Sequence, residues 1–125
     1  MAVCGGLAVT GGADARERWS DWDILEILYA TRVQRCSAAT VAVMLGETRH
    51  AVLGVMRRMK HARPATPEVA ARVVVRAVIR RMQDGEPCSA IAADLGMGRR
   101  VLLVVLHEKC VAKGLVPALF RGDRE

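Results

Sequence analysis

The sequence predicts an all-α protein built from two tandem three-helix helix-turn-helix units, and three observations carry that expectation. Apolar residues recur at helical spacing, capping residues and glycines punctuate the chain at helix-length intervals, and a pattern near residues 42–55 returns fifty positions later. At 125 residues and 52% hydrophobic composition, the chain has enough apolar surface to bury a core. Its four aromatics are Trp19, Trp22, Tyr29 and Phe120, so the core falls mainly to Val, Leu, Ile, Ala and Met. Such residues suit close-packed helices.

Residues 1–18 are expected to form a flexible tail, because Met1–Ala13 is apolar and glycine-rich yet lacks the positive start of a secretion signal. Ser20 then caps a first helix reaching about Thr31, with Asp21 and Asp23 in its first turn. Ile24, Leu25 and Leu28, flanked by Trp19 and Tyr29, form its buried stripe, and Trp22 falls in the core or on its rim. Beyond a polar link at Arg32–Arg35, Ser37 caps a short second helix with Val41, Ala42, Met44 and Leu45 available for burial. Gly46 ends it, since glycine tolerates the left-handed backbone that a sharp turn between helices demands. Thr48 caps a third helix from Arg49 to about His61 that buries Val52, Val55, Met56 and Met59. The first unit thus spans residues 19–62.

Prolines 64 and 67 mark a linker over residues 63–67. Thr66 caps a fourth helix with Pro67 at its first position, expected to run unbroken to about Gln83, where Asp84 and Gly85 stop it. The remainder repeats the first half. Ala42, Leu45, Gly46, Arg49, Leu53 and Val55 correspond to Ala92, Leu95, Gly96, Arg99, Leu103 and Val105, and Ile24 and Leu28 to Val74 and Val78. The second unit covers residues 68–116, with helices near 67–83, 88–95 and 98–113, closed by Gly114. Residues 117–125 are expected to form a loose tail.

The net charge of +6 is unevenly spread. In residues 1–30 two arginines face five acids, a balance of −3, so the remaining 95 residues carry +9. A basic body favours a polyanionic partner, and double-stranded DNA is the expected one. Cys4, Cys36, Cys88 and Cys110 form no C-x-x-C pair and are expected to be buried or free thiols in a reducing cytoplasm. His107 and Cys110 share a helix face but lack a second ligand pair, so no metal or other cofactor is expected. No apolar run reaches the ~18 residues of a membrane span, and no nucleophile–base set, phosphate loop or carboxylate pair points to an enzyme. The expected location is the cytoplasm, on the nucleoid.

The residues that carry function lie at the second turn. In a helix-turn-helix a small residue lets the helices cross closely and a glycine makes the turn; Ala42 and Gly46 hold those places. Thr48, Arg49 and His50 then open the third helix on its outer side. An arginine there can hydrogen-bond the major-groove edge of guanine or hold a phosphate. Arg57, Arg58 and Lys60 extend the basic edge, and Arg99 and Arg100 occupy the equivalent start of the repeat. The stretch Val101–Leu106 is apolar nearly all round, so the second unit either contacts DNA through Arg99 and Arg100 alone or serves as a homodimer or partner-docking face. Arg72, Arg76 and Arg80 line one face of the fourth helix as a secondary phosphate-following edge.

On these residues the first half resembles the N-terminal domain of GcrA-type cell-cycle regulators of alphaproteobacteria. Trp19-Ser20-Asp21 is similar to the opening of their first helix, and the run from Ser37 to Met59 is similar to their helix-turn-helix. The segment Thr48-Arg49-His50-Ala51-Val52-Leu53-Gly54 is its most specific part, within a likeness covering about 40 residues. The resemblance implies transcription control at promoter DNA with contact to an RNA polymerase sigma factor. The turn is one residue shorter here, and His50 stands where the family commonly has asparagine. A second helical unit replaces the family's sigma-binding segment, which suggests a regulator of phage-like or gene-transfer genes. The alternatives are a small helical adaptor that binds a host protein instead of DNA, and a DNA-packaging recognition subunit.

Overall fold

The computed structural model describes residues 19–115, and within them all regular structure is helical. The expected tails, residues 1–18 and 117–125, lie outside the described residues. Helix α1 spans Asp21–Leu28, α2 Ala38–Leu45, α3 Arg49–Lys60, α4 Pro67–Ala71, α5 Val75–Gln83, α6 Cys88–Leu95 and α7 Arg99–Ala112.

The chain's own punctuation sets most of these boundaries. The hydroxyls of Ser20, Ser37, Thr48 and Thr66 accept the amide N–H of Asp23, Thr40, Ala51 and Val69, at 3.0 to 3.3 Å, each satisfying a donor that its helix leaves open. Gly46 and Gly96 end α2 and α6 at φ +68° and +73°. In both turns the glycine N–H and the next amide fold back onto the preceding turn, Glu47 to Ala42 and Met97 to Ala92, so the two helix-turn-helix segments share one backbone solution fifty residues apart.

Two elements depart from expectation. The first helix does not continue as α-helix to Thr31: it widens into a π-turn over Tyr29–Val33. The Thr31 hydroxyl bonds back to the carbonyl of Ile27 at 2.7 Å, the competition between side chain and backbone that loosens a helix ladder. The fourth helix is broken into α4 and α5. Val74 has an extended backbone (φ −99°, ψ 111°) where a run of three β-branched valines begins to face inward and outward by turns. The carbonyls released by that break are not left open, because the Lys109 ammonium donates to Ala70 at 2.7 Å and to Val73 at 2.8 Å.

The core forms one cluster that spans both halves. Its axis is α7, whose residues Leu102 to Leu106 are all at most 3% exposed. Burying side chains of this size contributes roughly 1.5 to 3 kcal/mol each. Helix α1 packs against α7 as well as against α3, so Ile27 and Leu28 join the two helix-turn-helix segments into a common interior. Trp19 and Trp22 are both buried. The register of the repeat holds at Ala42 and Ala92, Val55 and Val105, and Leu28 and Val78, all buried. It fails at Ile24 and Val74: the first is buried, whereas the second is 58% exposed at the helix break. Met44, expected in the core, is 61% exposed beside Val43 at 82%. Helix α2 is apolar all round, so composition alone could not fix which side turns inward.

Candidate nucleic-acid interface

Helix α3 sorts its residues by angle. Val52, Val55 and Met59 fall on one side and are buried, whereas Arg49, His50, Arg57 and Lys60 fall on the other and are exposed. The orientation follows from the turn before it: Gly46 reverses the chain, Thr48 caps the new helix, and buried Ala42 lets α2 cross closely. Arg49, the first helical residue, is exposed at the positive end of the helix, where Thr48 caps the Ala51 amide. Among the described residues, the side chains of Arg49, His50, Arg57, Lys60 and Arg100 make no ion pair or hydrogen bond, so the charge of the three arginines and the lysine is uncompensated.

Grooves on both flanks of α3 are basic. On one side Arg32 joins Arg57 and Lys60 around a cleft of about 350 Å³, while its guanidinium donates to the carbonyl of Met59 near the helix end. Arg32 was not singled out by sequence reasoning. Only the π-turn, which carries it alongside α3, gives it a place here. On the other side Arg58 is half-buried and shares a second groove of similar size with Arg100 at the start of α7. The structure thus brings Arg100 of the second helix-turn-helix segment to the side of the first.

Arg99 has a different place from the one expected. Its guanidinium turns inward: Nε and Nη2 lie 2.9 and 2.8 Å from Oδ1 of Asp21, and Nη2 also donates to the carbonyl of Trp19 at 3.0 Å. The other carboxylate oxygen of Asp21 accepts the N–H of Cys88 at 2.8 Å, supplying the cap that Pro87 cannot give α6. Arg99 is therefore a strut between the start of α1 and the second helix-turn-helix segment. Burial, reinforced by the Asp21 carboxylate, pushes the Cys88 thiol well above its usual range, so it stays protonated and unreactive.

The secondary basic edge is also divided by the fold. Arg72 donates to the carbonyl of Leu95 at 2.9 Å, capping the end of α6. Arg76 and Arg80 remain exposed on α5. Arg81 is held by Glu86 at 2.7 Å and by Asp94 at 2.6 Å, which keeps the Glu86 carboxyl below its ordinary range.

One residue of the outer face fits none of these roles. Gly54 sits at the middle of α3, where glycine costs about 0.5 to 1 kcal/mol relative to alanine. Its backbone is ordinary helix, and an added Cβ would meet only the terminal Nη1 of Arg58, at 3.4 Å. Among the described residues, nothing in the fold requires a glycine there.

Other chemistry is sparse in the described residues. No three His, Cys, Asp or Glu side chains converge on a metal position. Neither His107 nor Cys110 reaches a polar cleft; both are buried in α7. Cys36, Cys88 and Cys110 are free thiols, and Cys4 lies outside the described residues. No helix there is long and apolar enough to cross a membrane. Comparison with protein-family models, with curated proteins and with solved structures finds no match to this chain.

Proposed function

We propose that this protein binds double-stranded DNA by laying α3 in the major groove, and that it acts as a transcriptional regulator. The observation that carries this reading is the outward, uncompensated basic face of α3, opened by Arg49 directly after the glycine turn. Arg49 supplies the base-edge or phosphate contact at the helix start, with Thr48 and His50 beside it. Arg57, Lys60 and Arg32 follow one strand's phosphates, and Arg58 and Arg100 extend the positive flank toward the other. The likeness of Trp19–Asp21 and Ser37–Met59 to GcrA-type regulators agrees with promoter binding in company with a sigma factor. A role in phage-like or gene-transfer genes belongs to the same proposal.

Selection of duplexes from a random-sequence pool by the purified protein tests it. Enrichment of a defined site is expected, and Arg49→Ala should weaken binding to that site by about 1 to 3 kcal/mol without changing the fold. Unchanged affinity in a folded variant removes Arg49 from the interface.

A protein-docking adaptor is the second reading, and one observation favours it: Val43 and Met44 lie side by side on α2, strongly exposed. Absence of duplex binding even at low salt, with loss of a protein partner on Val43→Asp, would support that reading instead.

A further inference from the structure

Gly54 lies on the same line of α3 as two residues of the proposed DNA face. His50 is one turn before it and Arg57 is just under one turn after it, so the three share a ridge on the exposed side of the helix. Between them the ridge has a notch, because the middle position bears no side chain. Among the described residues the notch is not imposed from within: the backbone there is ordinary helix, no neighbouring backbone crowds the position, and only the end of the half-buried Arg58 side chain, which lies over it, would touch an added Cβ. A glycine that weakens its helix and fills no need of the fold is explained by something that approaches from outside.

We propose that Gly54 is a close-approach point, at which the backbone of α3 comes into van der Waals contact with the duplex between the His50 and Arg57 contacts. This inference rests on the DNA-binding reading and deepens it: the face is not only charged but shaped. Long basic side chains at both ends span to the strands, while the notch lets the helix settle to the depth at which Arg49 reaches the bases. A side chain at position 54 would hold the helix off the groove and draw Arg49 back from the bases, while the long side chains of Arg57 and Lys60 extend to keep their phosphates. Gly54 is on this account a positioning residue, acting through its neighbours.

The test uses the full chain and the duplex enriched from the random pool by the wild-type protein, with affinity read by fluorescence anisotropy. Gly54→Ala should keep or raise the thermal midpoint, since the helix gains a better former, and should weaken duplex binding tenfold or more. Gly54→Leu should weaken it further. Neither substitution alters charge, so the dependence of the residual affinity on salt should keep the wild-type slope, which a lost phosphate contact would not. Wild-type affinity in both variants overturns the inference while leaving the DNA-binding reading intact. So does intact duplex binding with a changed oligomeric mass, because the notch would then serve a second copy of the chain. If the wild-type protein enriches no duplex, the DNA-binding reading fails and the inference fails with it.

Discussion

Asp21→Ala is expected to lower the unfolding free energy by about 2 to 4 kcal/mol, measured by chemical denaturation at neutral pH. The carboxylate serves two partners at once, the Arg99 guanidinium and the Cys88 amide, and the ion-paired side chains are only 14% and 20% exposed. Removing it leaves a largely desolvated cation and an uncapped buried amide at the start of α6. Arg99→Ala strands the Asp21 carboxylate but leaves it the Cys88 amide as a partner, so it should cost less, and the double variant should cost less than the two losses added together. The same pair separates structure from recognition. Arg99→Ala should destabilise the protein yet leave the salt dependence of duplex binding unaltered, whereas loss of Arg57 or Lys60 should do the reverse.

Acid should destabilise the fold through His107. Its ring is 4% exposed, packs edge-on against Tyr29 at 6.4 Å, and has no hydrogen-bond partner on either nitrogen among the described residues. Burial, with a smaller contribution from Arg32, lowers its pKa from the usual 6.5 to about 4. The folded state therefore holds a neutral ring over a range in which the unfolded chain binds a proton. Stability from this source is complete above pH 6.5 and is lost as pH falls toward 4, by about 3 kcal/mol in all. His107→Leu should remove this limb of the pH–stability curve and be at least as stable as the wild type at pH 7, because it discards an unpaired polar group of similar volume. A variant whose curve parallels the wild type between pH 6.5 and 4 would show that the acid loss originates elsewhere.

What the sequence made legible is what depends on neighbours along the chain. Ser20, Ser37, Thr48 and Thr66 cap helices within three residues of themselves, and Gly46 and Gly96 fix their turns by backbone conformation alone. The phase of α3 was legible too, since its buried and basic residues fall on opposite sides. Helix α2 offered no such contrast, and Met44 and Val43 ended outside. The remaining differences are tertiary. The Asp21–Arg99 pair joins residues 78 positions apart, and the same arginine that starts α3 in one segment starts α7 in the other, with opposite orientation. The apolar run Val101–Leu106 marks α7 as the more buried helix, but nothing local says that Arg99 itself turns inward. What turns it is that α1 begins beside α7 and supplies a carboxylate there. The break between α4 and α5 likewise depends on Lys109, a residue far along the chain that satisfies the exposed carbonyls.

The central claim is that the outer face of α3 is an electrostatic seat for duplex DNA. Titrating the protein with its enriched duplex between about 50 and 200 mM salt tests it most directly. With Arg32, Arg57 and Lys60 each neutralising a phosphate, log affinity should fall linearly with log salt at a slope on the order of −3, and Arg57→Ala should make it shallower by about one. Affinity that does not respond to salt, or a slope left unchanged by Arg57→Ala, would contradict the account.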